Sequence, residues 1–174
     1  RYTNETVALA FAITEEAVED NLYDTLSKRY TAALARSMAY TKQVKGANVL
    51  NNAFSTSFPG GDGKPLITTD HPTVAAGNQA NEPSTAADLS ESSLENAIIS
   101  IAGFTDDRNI PVAIQARKLV IPKELSFTAQ RILKSDLRVG TADNDTNALR
   151  TMGMFPEGYV VNHYLTDTDA FFIL

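Results

Sequence analysis

The feature that most constrains this chain is a stretch of about 40 residues, 14–53, which contains no proline and a single glycine, Gly46. Thr14 fits a helix N-cap, and Glu15 and Glu16 follow it in the first turn. Apolar residues recur at helical spacing along one broad face: Val18, Leu22, Leu26, Tyr30, Ala33, Tyr40, Val44, Ala47 and Phe54. The pattern predicts a helical rod of about 60 Å, long for a small domain because the mean helix has roughly 11–12 residues.

Charge along this predicted helix is segregated. Its acids come first and its bases follow: Glu15, Glu16, Glu19, Asp20 and Asp24, then Lys28, Arg29, Arg36, Lys42 and Lys45. This order complements the helix dipole, and Asp24 and Lys28 form a favourable i,i+4 pair. The alternative is that the basic half contacts an acidic neighbour or packaged nucleic acid. Arg29 and Arg36 lie one heptad apart at the edge of the apolar face, so they are candidate subunit-interface residues.

Composition bounds the class of protein. With 174 residues, 43% hydrophobic and 21% charged, the chain can bury a core as an ordinary soluble globular protein. It has no cysteine, which excludes disulfides, zinc–thiolate sites and thiol catalysis. A net charge of −6 argues against sequence-specific DNA binding. The longest apolar run, residues 7–13, is too short to span a bilayer, so no membrane contact is expected.

The remaining segments alternate between strand-like and helical patterns. The predicted elements are a buried strand at 5–13, a loop-rich segment at 54–87, a helix at 88–103 capped by Asp88 with Glu91 completing a capping box, a strand at 116–122 and a helix at 123–135. Near the end, "GYVVNHYL" and "DAFFIL" predict a hairpin or two neighbouring strands joined by the acidic turn "TDTD". This mixed order predicts the α+β class.

The stretch "FPGGDGKPLITTDHPT", residues 58–73, holds the most suggestive chemistry. It is not a phosphate-binding loop, because Pro65 follows Lys64 where the motif needs a hydroxyl. Asp70 and His71 could form a catalytic pair or half of a metal site. Adjacent residues in an extended segment point to opposite faces, however, and Pro72 holds His71 extended. We therefore expect turn residues here.

Two other acidic motifs do not fit the binding or catalytic sites that they resemble. Residues 143–147, "DNDTN", imitate a calcium loop, but Ala148 stands where glycine is needed and Met154 where the bidentate Glu is needed. The acids of "TDTD", 166–169, suit a turn better than a carboxylate pair. The sequence therefore predicts no catalytic residue, no metal site and no cofactor.

The succession of segments resembles a known family. It comprises "FAITEEAVEDNLYDTLSKRYTAALARSMAYTKQVKGANVLNNAF", "GGDGKPLITTDHP", "DLSESSLENAI", "DDRNIPV", "KLVIPKELSFTAQRILKS", "TADNDTNALR" and "VVNHYLTDTDAFFIL". Together these segments resemble a tailed-phage major capsid protein, most closely the Mu-like major head subunits, which have the Hong Kong 97-type capsid fold. The resemblance covers nearly the whole chain.

The resemblance implies an organisation. Residues 1–87 would be the end of the extended loop, the spine helix and the connector of the peripheral domain. Residues 88–174 would be a helix followed mostly by axial-domain strands and helices. The chain would be a piece of a longer subunit, lacking an arm and most of the loop before Arg1 and strands after Leu174. Asn109 stands where similar chains have glycine, and asparagine tolerates the positive φ of that turn.

The resemblance also implies a function. The chain would be a non-enzymatic structural protein of the virion, assembled in the bacterial host cytoplasm into hexamers and pentamers of an icosahedral shell around double-stranded DNA. Scaffold, portal and decoration proteins are possible partners, and contact with DNA would be non-specific at most. Asp106, Asp107 and Arg108 of the "TDDRN" turn join Arg29 and Arg36 as candidate interface residues. The alternatives are an encapsulin-like compartment shell and, remotely, a hydrolase using Asp70 and His71.

Overall fold

The computed structural model describes residues 4–20, 23–75, 77–138 and 145–174. Within the chain there are two compact units, Arg1–Val49 and Leu50–Leu174. We call them unit 1 and unit 2 and describe each by itself. The domain boundary expected from the resemblance, between residues 87 and 88, stays a prediction.

Unit 1 is dominated by helix. Helix α1 spans Glu15–Glu19 and helix α2 spans Tyr23–Asn51, reaching just into unit 2. The hydroxyl oxygen of Thr14 accepts a hydrogen bond from the Ala17 backbone N–H at 3.4 Å, which confirms the predicted cap. The helix prediction is confirmed within these bounds, and the junction at residues 21–22 lies outside the described residues. A 29-residue helix is about 44 Å long.

The predicted apolar face of this helix is only partly correct. Ala47 is buried, and Leu26 and Val44 are half-buried. Tyr30 and Tyr40 are exposed. The other exposed members of the predicted face are Val18, Ala33 and Phe54, and Leu22 lies outside the described residues. The face is therefore largely uncovered within one subunit.

The predicted buried strand at 5–13 is wrong. The segment forms no strand, and Val7, Leu9 and Phe11 are exposed. Lys45 of α2 donates to Glu5 at 2.6 Å, and the Phe11 ring lies 5.6 Å from the Tyr30 ring. Tyr30 and Lys45 are about 22 Å apart along a helix, and the six steps from Glu5 to Phe11 cover about 20 Å when extended. The segment therefore runs extended and antiparallel along α2, with no strand partner among the described residues.

Unit 2 is built on a three-stranded sheet. Strand β3 (Leu119–Ile121) lies in its centre, parallel to β4 (Tyr159–Val161) and antiparallel to β5 (Phe172–Ile173). Val120 pairs with Val160 on one side and with Phe172 on the other. The predicted hairpin of the last two strands is therefore wrong, because β3 lies between them. All three β3 residues are buried, as expected of a central strand.

Helices cover this sheet and complete a core. Helix α3 spans Glu91–Ala102, α4 spans Ser126–Lys134 after a 3₁₀ turn at Lys123–Leu125, and α5 spans Ala148–Thr151. The core cluster contains Leu89, Leu94, Ala116, Leu119, Ile121, Ala129, Ile132, Leu133, Leu149 and Phe155. The predicted helices at 88–103 and 123–135 are confirmed to within a few residues.

Two details of these helices differ from the sequence predictions. The α3 cap is Ser90 rather than Asp88, and Ser93 rather than Glu91 completes the capping box, because its short hydroxyl reaches the Ser90 N–H at 2.9 Å. The helix predicted at 123–135 has Leu125, Phe127, Ala129, Ile132 and Leu133 as its apolar residues, but Phe127 is 78% exposed.

One buried polar side chain joins the end of α4 to α5. Asn147 is 1% exposed. Its amide nitrogen donates to the backbone carbonyls of Ile132 and Ser135. Its amide oxygen accepts from the Arg150 N–H at 3.2 Å and caps α5. The "DNDTNALR" segment therefore ends as a capped short helix, with residues 141–144 outside the described residues.

Candidate functional site

The glycine-rich turn is closed by its own aspartate. Gly63 has φ of 78°, and the Gly60 N–H donates to the Lys64 carbonyl at 2.6 Å. One carboxylate oxygen of Asp62 accepts from the Lys64 N–H at 3.1 Å. The other lies 2.6 Å from His71 Nδ1. The hydrogen bond from His71, and then that from the Lys64 backbone, lower the pKa of Asp62 below its usual value.

Asp70 has a separate set of partners. The Lys64 ammonium and the Thr68 hydroxyl both donate to its carboxylate, and both hydrogen bonds lower the pKa of Asp70. His71 instead begins strand β1 (His71–Pro72), which pairs antiparallel with β2 (Asn78–Gln79). The prediction that Asp70 does not orient His71 is confirmed. The turn is fastened by two separate side-chain contacts, the Lys64–Asp70 ion pair and the hydrogen bond between Asp62 and His71.

This arrangement lacks the geometry of nucleophilic catalysis. A carboxylate holds one nitrogen of His71, as in a triad, but the other nitrogen, Nε2, is buried without a hydrogen-bond partner among the described residues. Among the described residues, no hydroxyl forms a hydrogen bond with this nitrogen. The described residues also contain no group of three or more acids or histidines that could hold a metal ion. The hydrogen bonds of Asp62 and Asp70 instead stabilise the loop between residues 60 and 72.

Sequence reasoning missed Asp62 as the partner of His71. The sequence held one indication of this contact: Asp62 lies between the glycines of "GGDGK", where the chain can fold back. Asp62 and His71 are nine residues apart, however, and the loop between them is irregular. No periodic pattern predicts such a contact.

The "TDTD" acids do pair with each other. Asp167 and Asp169 share a side-chain hydrogen bond, which lowers the pKa of Asp167 and raises that of Asp169. Asn51 of α2 holds this loop by donating to the Tyr164 carbonyl and accepting from the Thr166 N–H, both at 3.0 Å. The neighbouring cavity of about 20 Å³ has room for about one water molecule, which needs roughly 10–15 Å³. A substrate has no room there.

The "TDDRN" turn presents charged side chains on a rigid frame. One oxygen of Asp106 accepts from the N–H groups of Arg108 and Ile110, both at 2.8 Å. Asn109 has φ of 66°, which confirms the expectation of a left-handed residue there. Gln79 of β2 adds hydrogen bonds to the carbonyls of Thr105 and Asp106, at 2.9 and 3.0 Å. Asp106 thus holds the turn, while Asp107 and Arg108 are exposed.

The two arginines that the sequence analysis named on the long helix are exposed to solvent. Arg29 and Arg36 lie on α2, exposed, and neither forms an ion pair in the described part of unit 1. Two lysines on the same helix are paired instead, Lys28 with Asp24 at 2.7 Å and Lys45 with Glu5 at 2.6 Å. Arg29 and Arg36 belong to unit 1 and the "TDDRN" turn to unit 2, so the structure places the predicted interface residues in two groups.

Comparison with known proteins gives one match. A family model described as phage capsid protein matches residues 1–174. No curated protein and no solved structure matches the chain. Within the described residues, none of the helices combines the length and the apolar character that crossing a membrane requires.

Proposed function

The chain belongs to the phage capsid protein family, which matches it from end to end, and we propose that it is a major capsid subunit that self-assembles into an icosahedral head shell. Membership of the family makes it a structural protein of the virion. The finer proposal is a Mu-like subunit of the Hong Kong 97 type, built into hexamers and pentamers around double-stranded DNA. Its α+β structure is compatible with a capsid subunit.

The family match carries this proposal, and the apolar surface of unit 1 supports it. In the described part of unit 1 the exposed large apolar side chains outnumber the buried ones: Val7, Leu9, Phe11, Val18, Tyr23, Tyr30, Tyr40 and Val49 are exposed and Ala47 alone is buried. Exposed apolar surface of this extent is typical of a protein that buries it against a partner. In a shell, the partner is a neighbouring copy.

Charge also supports assembly between copies. Arg29 and Arg36 present bare positive charge on α2, and Asp107 lies exposed on the turn held by Asp106. Side chains of opposite sign can attract each other when two copies of the chain meet. We propose Arg29, Arg36, Asp106, Asp107 and Arg108 as interface residues, with Asp106 acting through the shape of the turn. The net charge of −6 limits contact with DNA to weak, non-specific interactions.

We further propose the domain division drawn from the resemblance, with residues 1–87 peripheral and 88–174 mostly axial. Assembly in the host cytoplasm and docking of scaffold, portal and decoration proteins belong to the same proposal.

Electron microscopy and sedimentation of the complete protein test the proposal. We expect closed shells, and a monodisperse monomer at high concentration would contradict it. Double-stranded DNA in native particles separates a phage head from an encapsulin-like compartment, which would hold protein cargo instead.

A charge reversal tests the arginines. We expect Arg36→Glu to lower the yield of shells strongly, because it places an acid where a neighbour's acid is expected. Lys134→Glu, at an exposed position on α4, is the matched control with the same change in net charge and should assemble normally. Equal yields from both variants would remove Arg36 from the interface.

The remote hydrolase alternative has its own test. His71→Ala should leave shell formation intact, because His71 pairs with Asp62 inside a surface turn. A hydrolytic activity of the wild-type protein that His71→Ala abolishes would restore that alternative.

A further inference from the structure

We infer that the Asp62–Gly63 linkage is a site of spontaneous backbone isomerisation, and that a hydrogen bond from His71 protects it in the folded protein. Aspartate isomerises most readily before glycine, because glycine has no side chain to shield its amide nitrogen. The chain contains an aspartate followed by glycine once, at residues 62–63. The inference concerns the chemical durability of the chain and does not rest on the proposed function.

The reaction needs only water. The backbone nitrogen of Gly63 attacks the carboxyl carbon Cγ of Asp62 and gives up its proton, the neutral carboxyl group loses its hydroxyl, and water leaves as a succinimide ring closes. Water then opens this ring at either carbonyl. Opening at the side-chain carbonyl restores aspartate, and opening at the backbone carbonyl gives isoaspartate, in which the main chain runs through the former side chain. The water that was lost is regained, so atoms and electrons balance.

Both reacting groups are occupied by hydrogen bonds in the folded turn. One carboxylate oxygen of Asp62 accepts from the Lys64 N–H at 3.1 Å, and the other accepts from Nδ1 of His71 at 2.6 Å. Nδ1 is the donor, because an ionised carboxylate can only accept. The attacking group, the Gly63 N–H, itself donates to the Gly60 carbonyl at 3.3 Å. Ring closure therefore competes with hydrogen bonds at both of its reacting ends.

The Asp62 carboxylate is held in place by two neighbours. A Cβ atom at Gly60 would lie 3.0 Å from Oδ1 of Asp62, so this oxygen lies close to the Gly60 backbone. The donor of the second bond, His71, belongs to strand β1, where it pairs with Gln79, and its Nε2 is buried. The histidine therefore presents Nδ1 from an ordered strand and holds the Asp62 side chain in one orientation.

The hydrogen bond from His71 also keeps the carboxylate in its unreactive, ionised form. Only the neutral carboxyl group loses water readily, because an ionised carboxylate repels a nucleophile and has no hydroxyl to lose. The His71 hydrogen bond is the largest cause of the lowered pKa of Asp62, so it reduces the neutral fraction at any pH above that pKa. His71 thus opposes the reaction both by position and by charge.

Isoaspartate would disrupt the loop between residues 60 and 72. The main chain gains a carbon atom, which changes the spacing between the Gly60 N–H and the Lys64 carbonyl that it bonds at 2.6 Å. The free carboxylate then lies directly on Cα, so its contact with His71 is altered as well. A protein of the virion is not replaced after assembly, and such damage therefore accumulates with the age of the particle.

Peptide mapping by mass spectrometry of the complete protein, aged at pH 7, measures isoaspartate at residue 62. His71→Phe keeps a ring but has no donor, and it should isomerise about threefold faster than the wild type or more, because the ionised carboxylate loses a hydrogen bond. His71→Asn, whose amide nitrogen can take the place of Nδ1, is the matched variant and should restore slow isomerisation. Wild-type protein denatured in urea gives the unprotected rate, and the folded wild type should be slower than this by a similar factor.

Three outcomes would overturn the inference. Folded wild type that isomerises as fast as the denatured chain would show that the turn gives no protection. Equal rates in His71→Phe and the wild type would remove the protective role from His71, and a His71→Asn rate as high as that of His71→Phe would remove it from the donated hydrogen bond. If circular dichroism shows that His71→Phe does not fold, His71→Ala replaces it, and the comparison of folded with denatured wild type decides in either case. No arm requires shells to form, so a failure of the proposed capsid function is detected separately.

Discussion

The two units of this chain bury their apolar residues in opposite ways. Unit 2 encloses a core in which Leu94, Leu119 and Ile121 are fully buried. In the described part of unit 1, Ala47 is the one buried residue, and the aromatic and aliphatic side chains of α2 and of residues 5–13 are largely exposed. Isolated helices are marginal in water without tertiary packing. We therefore expect unit 2 to specify its own fold, and unit 1 to be stabilised by the neighbouring copies of the proposed assembly.

The largest effect should come from the core of unit 2. Ile121→Ala removes a fully buried side chain from the central strand and should lower the free energy of unfolding by about 2–5 kcal/mol. Val160→Ala, on the adjacent strand β4 but exposed, is the matched control and should cost less than about 1 kcal/mol. Denaturant unfolding of the unassembled subunit measures both. Equal losses would mean that the sheet is not the stabilising centre.

A somewhat smaller loss is expected at the polar link within unit 2. Asn147→Ala removes the hydrogen bonds to the buried carbonyl of Ile132 and the half-buried carbonyl of Ser135, and it removes the α5 cap, at a cost of about 1–3 kcal/mol. Asn147→Ser keeps a capping oxygen for α5 and loses the hydrogen bonds donated to α4, without burying a charge. Comparing the two by thermal unfolding separates the cap from the link. If Asn147→Ala unfolds like the wild type, this side chain does not join α4 to α5.

Unit 1 should respond in the reverse manner. Leu9→Ala should change the free energy of unfolding of the unassembled subunit by less than about 0.5 kcal/mol, because the side chain is already exposed. The same change should raise the protein concentration needed for shell formation, since it removes apolar area that a neighbour would cover. Sedimentation at graded concentrations measures this. Phe127→Ala is the control. If Leu9→Ala strongly destabilises the unassembled subunit, or leaves assembly unchanged, the proposed difference between the two units is wrong.

The smallest effect concerns pH and the surface ion pair of the connector. The Lys64 hydrogen bond, and then that of Thr68, lower the pKa of Asp70 from 3.8, so this contribution to stability is present above that value and is lost as pH falls through the lowered pKa. Lys64→Met should therefore lower the melting temperature slightly at pH 7, with the difference vanishing in acid. Lys134→Met is the control and should show no pH-dependent difference. A Lys64→Met difference that persists in strong acid would assign the effect to packing instead.

Much of the local structure could be predicted from sequence. The signals for three features lie within a few residues: the Thr14 cap, the proline-free helix and the apolar run at residues 119–121. The left-handed Asn109 was expected from the family resemblance instead. The order β4–β3–β5 could not be predicted, because strand pairing joins segments about 40 or more residues apart. Residues 5–13 show the same limit, since the pattern predicted a buried strand but a strand also needs a partner.

In the candidate site, too, features with a local sequence signal could be predicted and contacts between distant residues could not. The rejection of a phosphate loop followed from Pro65 alone. Two contacts could not be predicted because they join irregular loops that have no periodic pattern: the hydrogen bond between Asp62 and His71, and the hydrogen bonds from Gln79 to the Asp106 turn. Arg29, Arg36, Asp107 and Arg108 are exposed, and their proposed role at a subunit interface stays a prediction.

Hydrogen exchange, compared between unassembled subunits and assembled shells of the complete protein, tests the central contrast most directly. Amide hydrogens of residues 5–13 and of the exposed face of α2 should exchange fast in the free subunit and gain strong protection on assembly. Those of β3 and α4 in unit 2 should be protected in both states, because their core is already closed. Unit 1 amides that exchange equally in both states would contradict the account.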